Sequence, residues 1–439
     1  MKKKQTDDER HAPTFVPKEE QPYEVPANWR WVRIGEITQV VGGGTPSTKN
    51  PEYYENGEVP WLSPADLSNY SSVYISHGAK NITHLGLELS SARLLPADTV
   101  CLSTRAPIGY VVIAANPLCT NQGFKSFLPA PSYLPRYLYW YLKGNKNLLE
   151  SKASGTTFLE LSGSKAAKIE FPLAPLQEQQ RIVDRVERLF AALDAAKEKA
   201  QAVLAGCETR KAAILHKAFT GELIGLRNKS TIPFATIIDT IRIGPFGSAL
   251  HKDDYIMGGI PLVNPKHISC QRITIDEHTT ITPEKAAELE SYRLKTGDIV
   301  MGRRGEMGRS APVTKNENGW LCGTGSLIIR LQKGYDASFY SQIIASHSSV
   351  QYLEENSVGS TMKNLNEKVV KSLPVPNFTQ AEQTTIVNIL DKITEKEQSV
   401  TAVTQTVLAQ IDALKRSILA CAFRGELGTN DPAEPPVAL

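Results

Sequence analysis

The sequence predicts an α+β chain: two duplicated mixed α/β globules separated by two long helices, which form an antiparallel coiled coil with pseudo-twofold symmetry. Two observations predict it. The segment KAAILHKAFTGEL (Lys211 to Leu223) returns as KRSILACAFRGEL (Lys415 to Leu427), 204 residues further on. Each copy closes a proline-free stretch, poor in glycine, whose apolar residues recur every three or four positions.

The duplication extends upstream. YENGEVPWLSPADL from Tyr54 matches YIMGGIPLVNPKHI from Tyr255, and LPADTVCLSTRAPIG from Leu95 matches LKTGDIVMGRRGEMG from Leu294. The near-constant offset means that one ancestral unit of about 200 residues was doubled. The upstream parts differ more than the closing segments, as expected of copies that share a scaffold and diverged in what they contact.

Residues 1–27, rich in Pro, Glu, Gln and Lys, read as a flexible N-terminal segment; no apolar stretch follows its lysines, which excludes a secretory signal there. Residues 28–174 form the first globule, with short β-rich runs such as DTVCLST and GYVVIAA broken by Gly and Pro. Residues 175–226 are the first spacer helix. Residues 227–377 are the second globule, with DIVMG and SLIIRL as strands, and residues 378–427 are the second spacer helix, followed by a flexible tail at 428–439.

In the first helix, positions 182, 186, 189, 193, 196, 200, 203, 207, 210, 214 and 217 are apolar in nine of eleven cases; the equivalent positions from 386 to 421 score the same. A mean spacing of 3.5 over five heptads is a coiled-coil stripe, and about 40 residues make a rod of roughly 60 Å. A single such stripe fits an ordinary core helix of a bundle equally well. Two stripes of equal length, each following its own globule, favour rods packed on each other.

A chain of 439 residues is too long for one ordinary core, and 41% apolar with 22% charged residues is a soluble composition. No run approaches the roughly 18–20 apolar residues of a membrane span. The six cysteines show no CxxC pair and no zinc-ligand spacing with histidine, which points to a reduced, cytoplasmic protein without a structural metal. Scattered histidines such as His77, His84, His251 and His267 suggest no triad, and Asp253-Asp254 and Glu354-Glu355 read as solvated faces. The net charge of +3 is only a weak pointer to an anionic partner.

The order globule, helix, globule, helix, with PLQEQQRIVDRVERLF (Pro175 to Phe190) opening the first helix and AFTGEL and AFRGEL closing the two, resembles the specificity subunit of type I restriction-modification systems. VPANWRWVRIGEI (Val25 to Ile37) and GPFGSALHKDDYIMGGIPLV (Gly244 to Val263) are similar to segments of that family's target-recognition domains. The second globule opens with IPFATIID and lacks the aromatic pair Trp29 and Trp31.

The resemblance implies that each globule reads part of a split, asymmetric target in double-stranded DNA while the helices set the unread gap. It implies two modification subunits that bind S-adenosylmethionine and methylate adenine, restriction/translocase subunits that use ATP and Mg, and no catalysis or cofactor in this chain. The sequence agrees. Asn116-Pro117 and Asn50-Pro51 are followed by Leu and Glu, so neither is an adenine-methyltransferase NPP[FY], and no GxxxxGK[ST] loop occurs. A coiled-coil adaptor that binds only proteins is the competing reading.

Reading a base edge needs Arg, Asn or Gln on loops or helix ends, and anchoring phosphates needs Lys, Arg, Ser, Thr and backbone N–H groups. Gly-rich segments beside basic residues are therefore the candidates. In the first globule these offer Thr45, Ser47 and Lys49, then Arg105, then Thr156 and Thr157. In the second they offer Ser248 and Lys252, the arginines Arg303, Arg304 and Arg309, and Thr361 and Lys363. The arginine triplet is the most concentrated charge in the chain. The plain alternative for each loop is a surface turn with solvated charges. The glycine of each GEL ending reads as a helix stop.

Overall fold

The computed structural model describes residues 15–105, 107–155, 159–226, 229–246, 249–357 and 364–438. They fall into two compact units that do not follow linear order: residues 1–199 with 407–439 form unit 1, and residues 200–406 form unit 2. Two uninterrupted helices, Leu176–Thr220 and Gln380–Arg424, each run through a unit boundary. Each stops at a glycine in the left-handed region, Gly221 at φ 86° and Gly425 at φ 74°, as expected of a residue without a Cβ at a helix end.

Unit 1 is built on a five-stranded sheet in the order Val40–Gly42, Phe124–Phe127, Val100–Thr104, Ile108–Ala114, Tyr74–Ile75. Val100–Thr104 is central and buried along its whole length, which is why its sequence carries no polar alternation. A three-stranded sheet (Lys80–Ile82, Val59–Leu62, Cys119–Thr120) and the pair Arg30–Arg33 with Glu170–Leu173 complete it. Unit 2 repeats the plan: Ile238–Ile243, Ser326–Leu331, Asp298–Gly302, Ser310–Pro312 in one sheet, then Tyr255–Ile256, Thr280–Ile281, Ile260–Val263, Leu321–Cys322 in another, and the pair Thr231–Pro233 with Pro374–Pro376.

The long helices are anchored in both units by the same device. Gln179, fully buried in the first turn, accepts from the N–H of Leu134 at 2.8 Å and donates to the carbonyls of Ser132 and Ala174 at 3.0 and 2.8 Å. Gln383 accepts from the N–H of Asp336 and donates to the carbonyl of Phe378, both at 2.8 Å. The helix ends join the same cores: Phe423 meets Tyr137 and Tyr141 at 5.1 Å between ring centroids in unit 1, and Phe219 meets Phe339 at 6.1 Å in unit 2. The hydroxyls of Tyr137 and Tyr340 donate to the carbonyls of Pro172 and Pro376.

Within each unit the helices pair antiparallel. In unit 1 Lys197 meets Asp412 at 3.3 Å and Lys415 meets Asp194 at 2.5 Å; in unit 2 Arg210 meets Glu397 at 3.0 Å. The expected apolar stripe needs one correction. Its line through 186, 193, 200, 207 and 214 is covered, but its other line, through 196, 203, 210 and 217, is exposed; Lys197, Leu204 and Ala218, each one residue on, are turned inward instead. The second helix behaves alike, leaving Val400, Val407 and Leu414 exposed and covering Thr401, Leu408 and Ala422. A straight helix drifts about 20° per heptad against a 3.5 repeat, so a stripe read at fixed spacing leaves the seam within a few turns.

The expected flexible ends are docked where they are described. The carboxylate of Glu434 receives Nη1 and Nη2 of Arg181 at 2.8 Å each, Thr429 donates to Glu178 at 2.6 Å, and Trp29 Nε1 donates to Asn430. Burial pushes the carboxyl of Glu178 above its ordinary value, against the pull of Thr429 and Arg181. At the other end Val16 is buried and donates its N–H to the carbonyl of Trp31 at 2.9 Å. Low apolar content hid both, because hydrogen bonds rather than a hydrophobic face hold much of these segments.

Replacing Gln383 by leucine strands the Asp336 N–H and the Phe378 carbonyl in the core. Each buried orphan costs about 1–3 kcal/mol, so Gln383→Leu should lower the urea midpoint without changing the slope of the transition, measured by tryptophan fluorescence.

Candidate nucleic-acid interface

The central strand of unit 1 ends at Thr104, where three chain segments converge. The Thr104 N–H donates to the carbonyl of Gly123 at 2.7 Å, and the Thr104 carbonyl accepts from Leu161 at 3.0 Å. Arg105 forms a β-bridge with Glu160. Gly43 and Gly44 close on the same place: their N–H groups donate to the carbonyls of Phe124 and Thr120, and Thr45 Oγ1 donates to Gln122 Oε1. The approach is tight enough to require glycine, since a Cβ on Gly43 would lie 1.9 Å from the Asn121 carbonyl oxygen.

The charges here are loosely balanced. Glu160 lies 3.9 Å from Arg105 and 4.0 Å from Lys125. Burial holds the Lys125 ammonium below its ordinary value, Glu160 raising it and Arg105 lowering it. Asn121, whose Oδ1 accepts from the Gly123 N–H at 2.8 Å, and exposed Gln122 add amide groups to the cluster.

Unit 2 repeats the convergence. The Arg303 N–H donates to the carbonyl of Gly325 at 2.8 Å, its carbonyl accepts from Leu365 at 2.9 Å, and Arg304 bridges Asn364. Gly244 donates to Ser326, and a Cβ on it would lie 2.2 Å from the Gly323 carbonyl oxygen; Thr324 Oγ1 donates to the carbonyl of Pro245. Asn364 Oδ1 accepts from Arg303 Nε at 3.0 Å. Burial holds the Arg303 guanidinium below its ordinary value, and the charge of Arg304 adds to that.

Among the described residues no carboxylate pairs with Arg303 or Arg304, whereas Glu306 pairs with Arg309, Asp298 with Arg330 and Glu290 with Arg293. Two adjacent cations, one half-buried, lacking a described counter-charge, form an anion-binding arrangement.

A family model described as the type I restriction modification DNA specificity domain matches residues 26–205 and 246–409. The chain belongs to this family. The specificity subunit of the type I restriction enzyme MjaIX of Methanocaldococcus jannaschii is 44% identical over 160 residues, which is 36% of this chain and 37% of that one. The EcoR124I/EcoR124II specificity subunit of Escherichia coli is 30% identical over 164 residues, 36% of this chain and 40% of that one. These alignments therefore span about two fifths or less of the relatives' lengths. The crystal structure of the HsdS subunit from Thermoanaerobacter tengcongensis shares the fold, with a TM-score of 0.65 at 20% identity over 93% of this chain and 100% of that one.

Within this specificity-domain chain, the structure gathers some of the expected residues and separates others. Thr45 and Arg105 lie in the cluster of unit 1, and Arg303 and Arg304 in that of unit 2. Ser47 and Lys49 sit on an exposed turn beyond it. Arg309 is drawn off by Glu306, its Nε donating at 2.8 Å. Thr156, Thr157, Ser248, Thr361 and Lys363 lie outside the described residues, as does the side chain of Lys252, whose backbone starts the short helical turn Lys252–Asp254.

Sequence reasoning missed Asn121, Gln122, Lys125, Glu160, Thr324 and Asn364. The duplication carried the signal for several: Cys119 to Gly123 superposes on Leu321 to Gly325 at an offset of 202, placing Gln122 opposite Thr324.

A cavity of about 560 Å³ in unit 2 lies elsewhere, against the helices, lined by Cys207, Cys270 and Asp391 among others, and takes in none of these loop residues. No group of three metal-ligating side chains and no helix long and apolar enough to cross a membrane occurs among the described residues.

The close approaches make a direct test. Gly43→Ala and Gly244→Ala should each lower thermal stability by about 1–3 kcal/mol, the usual range for overpacking. Gly42→Ala, whose Cβ would meet nothing within 4 Å, should leave the melting temperature unchanged by differential scanning calorimetry.

Proposed function

We propose that this chain is the DNA-sequence-specificity subunit of a type I restriction-modification complex, each unit reading one part of a split, asymmetric target. The observation that carries the reading is the loop cluster built twice at matching backbone positions, with arginine and amide side chains presented at the end of a central strand. Base edges are read by such groups, while phosphates need only charge and position. The family match over residues 26–205 and 246–409 supports the same reading and disfavours a protein-only adaptor.

On this reading the chain catalyses nothing itself. Two modification subunits carry S-adenosylmethionine and methylate adenine, and restriction/translocase subunits carry ATP and Mg. The modest net charge of +3 fits a subunit whose partners supply much of the phosphate contact. The two unbroken 45-residue helices support a role in setting the length of the unread gap.

Single-molecule sequencing of host DNA, with the gene intact and deleted, tests the assignment. The expected result is a split motif, methylated at adenine on both strands, that disappears with the gene. Unchanged methylation in a host where the modification subunits are expressed would refute it.

A second test addresses the helices. Inserting one heptad into each, at matching levels, adds roughly 10 Å of helix, close to three base pairs of duplex. The methylated motif should then keep both of its read parts and gain about three unread base pairs; an altered read part with an unchanged gap would contradict the ruler role.

A further inference from the structure

The two units share a frame and differ at chosen places within it. Thr104 and Arg303 occupy one backbone position: each donates to the carbonyl of a loop glycine, Gly123 or Gly325, and each accepts from a leucine, Leu161 or Leu365. One residue on, Arg105 and Arg304 bridge Glu160 and Asn364 respectively. The backbone bonds are the same in both units although the side chains at these positions differ.

In unit 2 the Arg303 backbone is pinned on both sides, and its Nε is tied to Asn364 Oδ1 at 3.0 Å. That bond leaves the Nη fork with its direction set. A guanidinium held at Nε has already lost much of the rotamer freedom that binding would otherwise remove. A forked pair of donors matches O6 and N7 of guanine.

In unit 1 the place of Asn364 is taken by Glu160, close to Arg105 and Lys125. A carboxylate is repelled by phosphates, and at a base edge it can accept from an exocyclic amino group such as cytosine N4.

We propose that Arg303, positioned by Asn364, reads a guanine in the part of the target served by unit 2, and that Glu160 makes the part served by unit 1 differ at the corresponding base. The proposal rests on the DNA-specificity reading above. Its test uses the complex with its own modification subunits, methylating a pool of duplexes randomised across both read parts of the motif, with the products sequenced.

Arg303→Gln and Arg303→Lys should each relax one guanine-bearing position by roughly tenfold or more while leaving the other read part and the gap intact. Asn364→Ala should relax the same position by less, since the guanidinium remains but is no longer aimed. Glu160→Gln should change preference only in the other read part. A uniform loss of methylation over all sequences, with unchanged base preference and an unchanged melting temperature, would make Arg303 a phosphate contact and overturn the proposal. If the wild-type complex methylates without sequence preference, the specificity reading itself fails and takes this assignment with it.

Discussion

A buried glutamine amide has to find partners for its donors and its acceptor without help from water, and at Gln179 the globule supplies three of them from its own backbone. The residue sits one turn into a 45-residue helix, which would otherwise project from the globule with little to set its direction. Gln383 does the same for the other helix with two backbone groups. In each unit the amide joins the start of a long helix to the N-cap of a short one (Pro135–Gly144 or Ala337–Ile344) and to the end of the final strand. A buried polar group that is fully satisfied specifies one geometry more sharply than an apolar contact. Long helix, short helix and final strand are tied together within each unit at this joint.

The duplicated loop clusters follow from a separation of labour between backbone and side chain. Ladder hydrogen bonds and close glycine approaches hold the strand end and its neighbouring loops in both units, and neither depends on the residue at 104 or 303. The same backbone position carries a fully buried threonine in unit 1 and a half-buried arginine in unit 2. At Thr104 the hydroxyl turns back to the Gly123 carbonyl at 3.1 Å; at Arg303 the side chain reaches the next segment and is caught by Asn364. Divergence at such positions changes the side chains while the backbone bonds of the frame recur.

The helices show the same economy along their length. Their ends are packed with Ile182, Val186, Phe423, Ile386 and Leu390, whereas further along, the covered positions include Ala200, Cys207, Thr401 and Thr404. Thr404 satisfies its hydroxyl within its own helix, on the Val400 carbonyl at 2.7 Å. Small and polar residues there bury little apolar surface, so pairing relies on cross-helix contacts such as Arg210 with Glu397 in unit 2, each of modest worth at an exposed site. The stripe residues left outside, Val400 and Leu414 foremost, are a consequence of helical drift.

The sequence by itself determined the doubled unit, the two long helices with their glycine stops, and the Gly-rich segments from which the loop clusters are built, because repeats, helical periodicity and left-handed turns are local properties of a chain. Tertiary structure alone decided which side chains meet. Arg303 and Asn364 are 61 residues apart, Lys125 and Glu160 are brought together by a strand and a loop, and Arg309 is removed from the arginine triplet by a carboxylate three residues away. It also chose the helix face, since a seam follows 3.6 residues per turn while a heptad count follows 3.5, and it docked the described parts of both end segments, through hydrogen bonds to partners that no sequence period announces.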